Sequence, residues 1–189
     1  MKHAAIFWAI ALAAGLAPSL PAAAVTQSRN QIQIGANACM LSIPTTDTKV
    51  RPKATGFRNE GATNAFVICA FDTPPGGYSG LTDYSRIFIV LKSLDGASHD
   101  VTCTGVNSAA DGGLVGFSAQ QYVAKTVAVN DTGEAGTFGV PVYWYPEDFG
   151  AAPDTTIPYS GGLFSITCKL PPQVSVKYVF ADTKEDVGS

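Results

Sequence analysis

The sequence predicts an all-β fold, an antiparallel β-sandwich of immunoglobulin-like or jelly-roll outline, held by disulfides. Three observations predict it. Eight or nine short runs rich in β-branched and aromatic residues recur along the chain. Clusters of Gly, Pro, Asn and Asp separate those runs. Four cysteines, Cys39, Cys69, Cys103 and Cys168, lie within or beside them.

The first 24 residues stand apart from this pattern. Lys2 gives a positive start, and Ala4 to Ala17 is an unbroken apolar run. As a helix it spans about 21 Å, short of the roughly 30 Å hydrocarbon core of a bilayer. Ala22-Ala23-Ala24 then supplies small residues suited to cleavage before Val25. The expectation is a cleaved secretory leader over 1–24 and one β-sandwich domain over 25–189. No later stretch is long and apolar enough to span a bilayer as a helix.

The strands follow in order. Gln31-Ile32-Gln33-Ile34 alternates polar and apolar residues, and Ala65 to Phe71 is a continuous apolar run. Residues 44–64 read as the most irregular stretch, with Pro44 to Lys49 an exposed loop. Arg86 to Leu91 is a second apolar run, and His99 to Thr104 alternates around Val101 and Cys103. Tyr122 to Val129 alternates with Val123, Lys125, Val127 and Val129 on one side. A lysine among those valines predicts a sheet edge or a strand end. Thr137 to Tyr145 reads as a strand that Pro141 confines to an edge or a bulge. Leu163 to Leu170 and Val174 to Phe180 complete the set. Turns fall at Asp72 to Gly77, Asp95-Gly96, Asp111 to Gly113, Asn130 to Gly133 and Ser160 to Gly162.

In Val67-Ile68-Cys69, Val101-Thr102-Cys103 and Ile166-Thr167-Cys168 each cysteine follows a β-branched apolar residue by two positions. On a strand both then face one side, so the thiols are expected in the core. Four cysteines allow three pairings; Cys39–Cys69 with Cys103–Cys168 is favoured, and the others stay open. No C-x-x-C occurs among the four cysteines, which disfavours zinc.

Chemistry-bearing patterns are sparse. Net charge is −3 and no Lys/Arg run exists, so nothing attracts nucleic acid. Beyond the leader, His99 is the single imidazole. With Asp95 or Asp100 it is the only candidate general base, and no G-x-S-x-G elbow nominates a nucleophile. Paired carboxylates at Glu147-Asp148, Asp131/Glu134 and Glu185-Asp186 lie in polar, turn-like contexts. No catalytic, metal or cofactor residue is assigned. The distinctive feature is aromatic: Tyr143, Trp144, Tyr145 and Phe149 place four rings in seven residues. On a strand Tyr143 and Tyr145 share one face and Trp144 takes the other, so one face is core. The three form a candidate ligand-binding set, suited to sugar rings or to a protein partner.

Cys69, Cys103 and the segment Cys168-Lys169-Leu170-Pro171-Pro172, followed by a last strand Val174 to Phe180, resemble a loosely defined group of small secreted bacterial β-sandwich proteins. That resemblance implies the fold and no activity. Gln173 stands where the group often carries glycine. A weaker likeness is to pilus subunits of the coat-protein type, which implies that residues 25–38, with Ile32 and Ile34, could serve as a donor strand; a first strand of the chain's own domain is the preferred reading. The function expected is a secreted or periplasmic, non-enzymatic binding or structural module. Its alternatives are a carbohydrate-binding module on Tyr143, Trp144 and Tyr145, a surface-assembly subunit, and third a secreted hydrolase. Partners on this reading are a glycan or another extracytoplasmic protein.

Overall fold

Alternation along the strands sorts the side chains into three layers: a shared core and two outer faces. The computed structural model describes residues 25–43, 49–72, 82–107, 120–134, 136–158 and 163–188. The leader and the turns expected near 74–77, 111–113 and 160–162 lie outside the described residues, as do residues 44–48.

The elements are β1 (Thr26–Ile34), a helical turn (Gly35–Ala38), β2 (Cys39–Leu41), β3 (Val50–Lys53), β4 (Gly56–Asn59), β5 (Ala65–Ala70) and β6 (Thr82–Ser93). There follow β7 (His99–Asn107), β8 (Gln121–Val129), β9 (Val140–Trp144), a 3-10 turn (Pro146–Phe149), β10 (Phe164–Leu170) and β11 (Val174–Asp186). One sheet runs β3-β4-β11-β6-β9, with β1 also on β11; the other runs β2-β5-β10-β7-β8. All pairings are antiparallel. The two sheets bury one core, in which Ile87, Ile89, Leu91, Val142, Trp144, Val174, Val176 and Val179 of the first meet Val67, Val101, Val129, Ile166 and Leu170 of the second. The chain is an all-β, disulfide-stapled antiparallel sandwich.

All four sulfurs are buried in that core. The bonds are Cys39–Cys69 and Cys103–Cys168. Each joins residues directly opposite one another on neighbouring strands, β2 with β5 and β10 with β7. Both bridges therefore staple the second sheet internally; the first sheet is joined to it by hydrophobic packing and by side-chain hydrogen bonds such as Asn59 to the Leu170 carbonyl at 2.9 Å.

Lys125 lies on edge strand β8 and Pro141 on edge strand β9, where a missing ladder N–H is tolerated. Residues 50–59 correct the expectation of an irregular segment: they form the β3–β4 hairpin. Its strands are four residues each, too short to show a period. Gly56 takes φ 134° and packs so closely on the Val176 carbonyl that a Cβ would lie 2.3 Å from that oxygen. Residues 25–38 are occupied within the domain: β1 pairs with β11 from Thr26↔Asp186 to Ile34↔Tyr178. The donor-strand alternative is thereby corrected, since the chain completes its own sheet.

Candidate functional site

Two register shifts set what the first sheet shows to solvent. Between Val176 and Tyr178 the β11–β6 ladder slips by one residue. A bulge exchanges the faces beyond it. Val174 and Val176 therefore point into the core, whereas Tyr178 and Phe180 point outward and Val179 and Ala181 replace them inside. The second shift, between Asp182 and Thr183, turns Tyr84 inward while Arg86 and Asp182 stay outside.

The outer face consequently carries aromatic rows. One row crosses four strands as Ile32, Phe180, Phe88 and Tyr143. Phe88 is its base, stacked at 4.6 Å on Phe180 and tilted at 4.9 Å against Tyr143. The next row holds Ile34, Tyr178, Val90 and Pro141, and Phe138 meets Tyr178 edge-on at 5.6 Å. Burial, and secondarily Tyr143, raise the Tyr178 hydroxyl above its usual range. Tyr143 and Tyr145 stack at 5.6 Å with 18° between their planes. Arg86 lies over Phe88 and Phe180 and donates to Asp182 at 2.7 Å. Ile32 (64% exposed), Phe138 (53%), Ile34 (49%) and Tyr145 (39%) reach solvent. This is one contiguous apolar and aromatic surface, bordered by a hydrogen-bonding Arg–Asp pair.

The expected ligand set divides across the sheet. Tyr143 and Tyr145 lie on this outer face. Trp144 is corrected: it is fully buried, and its indole N–H donates to the Val123 carbonyl at 2.9 Å across the sandwich. It pins the two sheets together and meets no ligand on the outer face. Tyr145 is positioned by its turn, where its N–H donates to Asp148 Oδ2 at 2.9 Å and Lys125 donates to the same oxygen at 2.6 Å. Phe88, Phe138, Tyr178 and Phe180 were not singled out from sequence; the run of outward rings on β11 is hidden by the bulge.

The acid–base candidates take structural duties. His99 Nε2 lies 2.9 Å from Asp95 Oδ1, and Ser93 Oγ donates to that same oxygen rather than to the imidazole. These bonds, with one from the Ala97 N–H, hold the Asp95 carboxyl down to about 2. Asp131 accepts from the N–H groups of Gly133 and Gly139, Glu185 pairs with Arg29, and Glu147 is exposed. No group of three His, Cys, Asp or Glu capable of holding a metal occurs among the described residues. The outer face of the second sheet has small hydroxyl side chains at its centre, with Thr102 and Thr126 bonded at 2.8 Å and Thr104 opposite Thr167. Exposed Met40, Phe66 and Tyr122 lie on its strands β2, β5 and β8, where they form no ring stack among the described residues.

No protein-family model matches the chain, and no curated protein matches it. Among solved structures it is similar to the family 11 carbohydrate-binding module from Clostridium thermocellum, in complex with a β-1,3-1,4-mixed-linked tetrasaccharide, at 12% identity over 85% of this chain and 86% of that one. The TM-score is 0.33, so the likeness bears on neither site nor ligand.

Proposed function

We propose that this protein is a non-catalytic binding module of an extracytoplasmic space, and that it holds a glycan on the outer face of its first sheet. The observation that carries the reading is the near-parallel Tyr143–Tyr145 pair, outward-facing and continuous with Tyr178, Phe180 and Phe138. Pyranose rings offer C–H faces that stack on aromatic side chains and hydroxyls that hydrogen-bond at their rims. A face combining tyrosine rings with an Arg86–Asp182 pair supplies both. A contiguous exposed apolar patch rimmed by polar groups is the kind of surface that marks an interaction site. Two buried disulfides favour an oxidising compartment. Among the described residues no helix is long and apolar enough to cross a membrane. Among the described residues His99 engages the Asp95 carboxylate and Asp148 is engaged in a turn, which supports a binding role over hydrolysis.

The test is affinity electrophoresis through gels containing soluble β-1,4, β-1,3 and α-linked polysaccharides. At least one should retard the protein, and Tyr143→Ala with Tyr145→Ala should abolish the retardation. Migration unaffected by every polysaccharide, or retardation surviving both substitutions, would sink the reading.

A further inference from the structure

Beyond the aromatic rows the same outer face changes character. The next position across the sheet reads Arg51 on β3, Arg58 on β4, Ser175 on β11 and Lys92 on β6, all in register. Lys177, the bulged residue of β11, joins them: its ammonium and the Lys92 stem both pack against Gly133, each within 3.5 Å of where a Cβ there would lie. Lys92 is 5% exposed, and among the described residues its ammonium has no hydrogen-bond or ion-pair partner. Among the described residues Lys177 donates only to main-chain carbonyls, Gly133 at 3.1 Å and Phe138 at 3.3 Å. Arg58 Nε is buried with no hydrogen-bond partner among the described residues; one terminal nitrogen of that guanidinium reaches Glu60 at 3.5 Å and the other donates to the uncharged Thr55 hydroxyl.

Neutralisation of this cluster is incomplete. Glu60 is shared with Lys53 at 2.6 Å, which holds its carboxyl below the usual range. Exposed Glu134 is the acid that favours the charged Lys92, whereas burial, Arg58 and Lys177 all disfavour it. Asp131 feels Lys177 but is engaged by the Gly133 and Gly139 N–H groups. Like charges brought together and partly desolvated are costly unless an anion joins them. A chain of net charge −3 has thus concentrated cations at one end of one face.

That end adjoins the rings. Phe88, Val90 and Lys92 alternate on β6, so Lys92 lies about 13 Å along the strand from Phe88, at roughly 3.3 Å per residue. Phe138 links the two zones, its ring on Tyr178 and its carbonyl on Lys177. A chain of sugars stacked on the tyrosines and running along β6 and β11 would bring a neighbouring residue over Lys92, Lys177 and Arg58. The geometry points to an anionic polysaccharide as the ligand: sugar rings on Tyr143, Tyr145 and Tyr178, with a carboxylate or sulfate of an adjoining sugar on the Lys92–Lys177–Arg58 cluster. This rests on the glycan reading above.

Matched polymers test it by calorimetry: polygalacturonate against its methyl ester for carboxylate, and dextran sulfate against dextran for sulfate, in 20 mM and 300 mM NaCl. The charged member of at least one pair should bind about tenfold more tightly at low salt, and the advantage should shrink at high salt as the charges are screened. Lys177→Gln should weaken that binding about fivefold, the worth of one exposed charge contact. Lys92→Met, which keeps the buried stem, should do the same or more. Tyr145→Ala should remove binding to charged and neutral chains alike. Equal affinity within both pairs overturns the anionic preference and leaves the aromatic platform standing. Binding to the charged chain that survives Tyr145→Ala overturns the single continuous site. Failure of all four polymers, together with every gel of the preceding test, overturns the glycan reading itself.

Discussion

Replacing Gly105 by alanine should strain the contact that decides which rings face outward. Gly105 lies on β7 opposite Val123 of β8, and the Trp144 indole from the other sheet covers it while bonding to the Val123 carbonyl. A Cβ at position 105 would stand 2.6 Å from Trp144 Nε1, 2.8 Å from Cδ1 and 2.9 Å from Phe164 Cζ. Carbon atoms do not approach so closely, and fully buried Trp144 has no route to solvent. Overpacking of this kind costs about 1–3 kcal/mol. Displacing the indole also loses a hydrogen bond worth about 1 kcal/mol. Gly105→Ala should therefore lose about 2–4 kcal/mol in urea unfolding with the disulfides intact. Trp144→Ala removes the whole indole that clashes. The double variant should then be less unstable than the sum of the two singles, by at least about 1 kcal/mol. Strict additivity, or a Gly105→Ala loss below about 0.5 kcal/mol, would refute the placement of Trp144 and with it the outward placement of Tyr143 and Tyr145.

Removing the Cys103–Cys168 bridge by paired alanine substitution releases a 65-residue closure, worth about 4.3 kcal/mol in the loop-entropy model, against about 3.6 kcal/mol for the 30-residue Cys39–Cys69 closure. Thermal unfolding should accordingly rank the first variant as less stable. Tyr145→Ala should change stability by less than about 0.5 kcal/mol while abolishing glycan retention, because the ring is partly exposed and outside the core. Asp95 should titrate near pH 2 by NMR, and Ser93→Ala or His99→Ala should move its midpoint up toward the ordinary 3.8. The sign follows from linkage: a carboxyl depressed in the folded state stabilises above its unfolded value, and that contribution fades as pH falls from about 4 through 2. Asp95→Asn should remove that part of the acid dependence.

Legibility from sequence followed the range of the interactions involved. Inward cysteines at 69, 103 and 168 and the edge positions of Lys125 and Pro141 are set by side-chain alternation and by one missing N–H, both local facts. The opposition of Trp144 to Tyr143 and Tyr145 was equally local. Which side is core was not, since both faces of β9 are apolar and only packing against β8 and Phe164 selects Trp144. The β11 rings escaped because plain alternation groups Tyr178 and Phe180 with Val174 and Val176, and one bulged residue reverses them. Arg51, Arg58, Lys92 and Lys177 form no run in the chain. Strand order alone assembles them, and strand order depends on pairings between residues more than a hundred positions apart.

Solvent-facing tyrosines as the ligand contact can be tested most directly by NMR of protein carrying ¹³C-labelled tyrosine rings and a ¹⁵N-labelled indole, titrated with whichever polysaccharide retards it. Shifts should concentrate on Tyr143, Tyr145 and Tyr178, leaving Tyr122 on the opposite sheet and the Trp144 N–H unmoved. Shifts centred on Tyr122, or on the Trp144 N–H without the three tyrosines, would contradict the account.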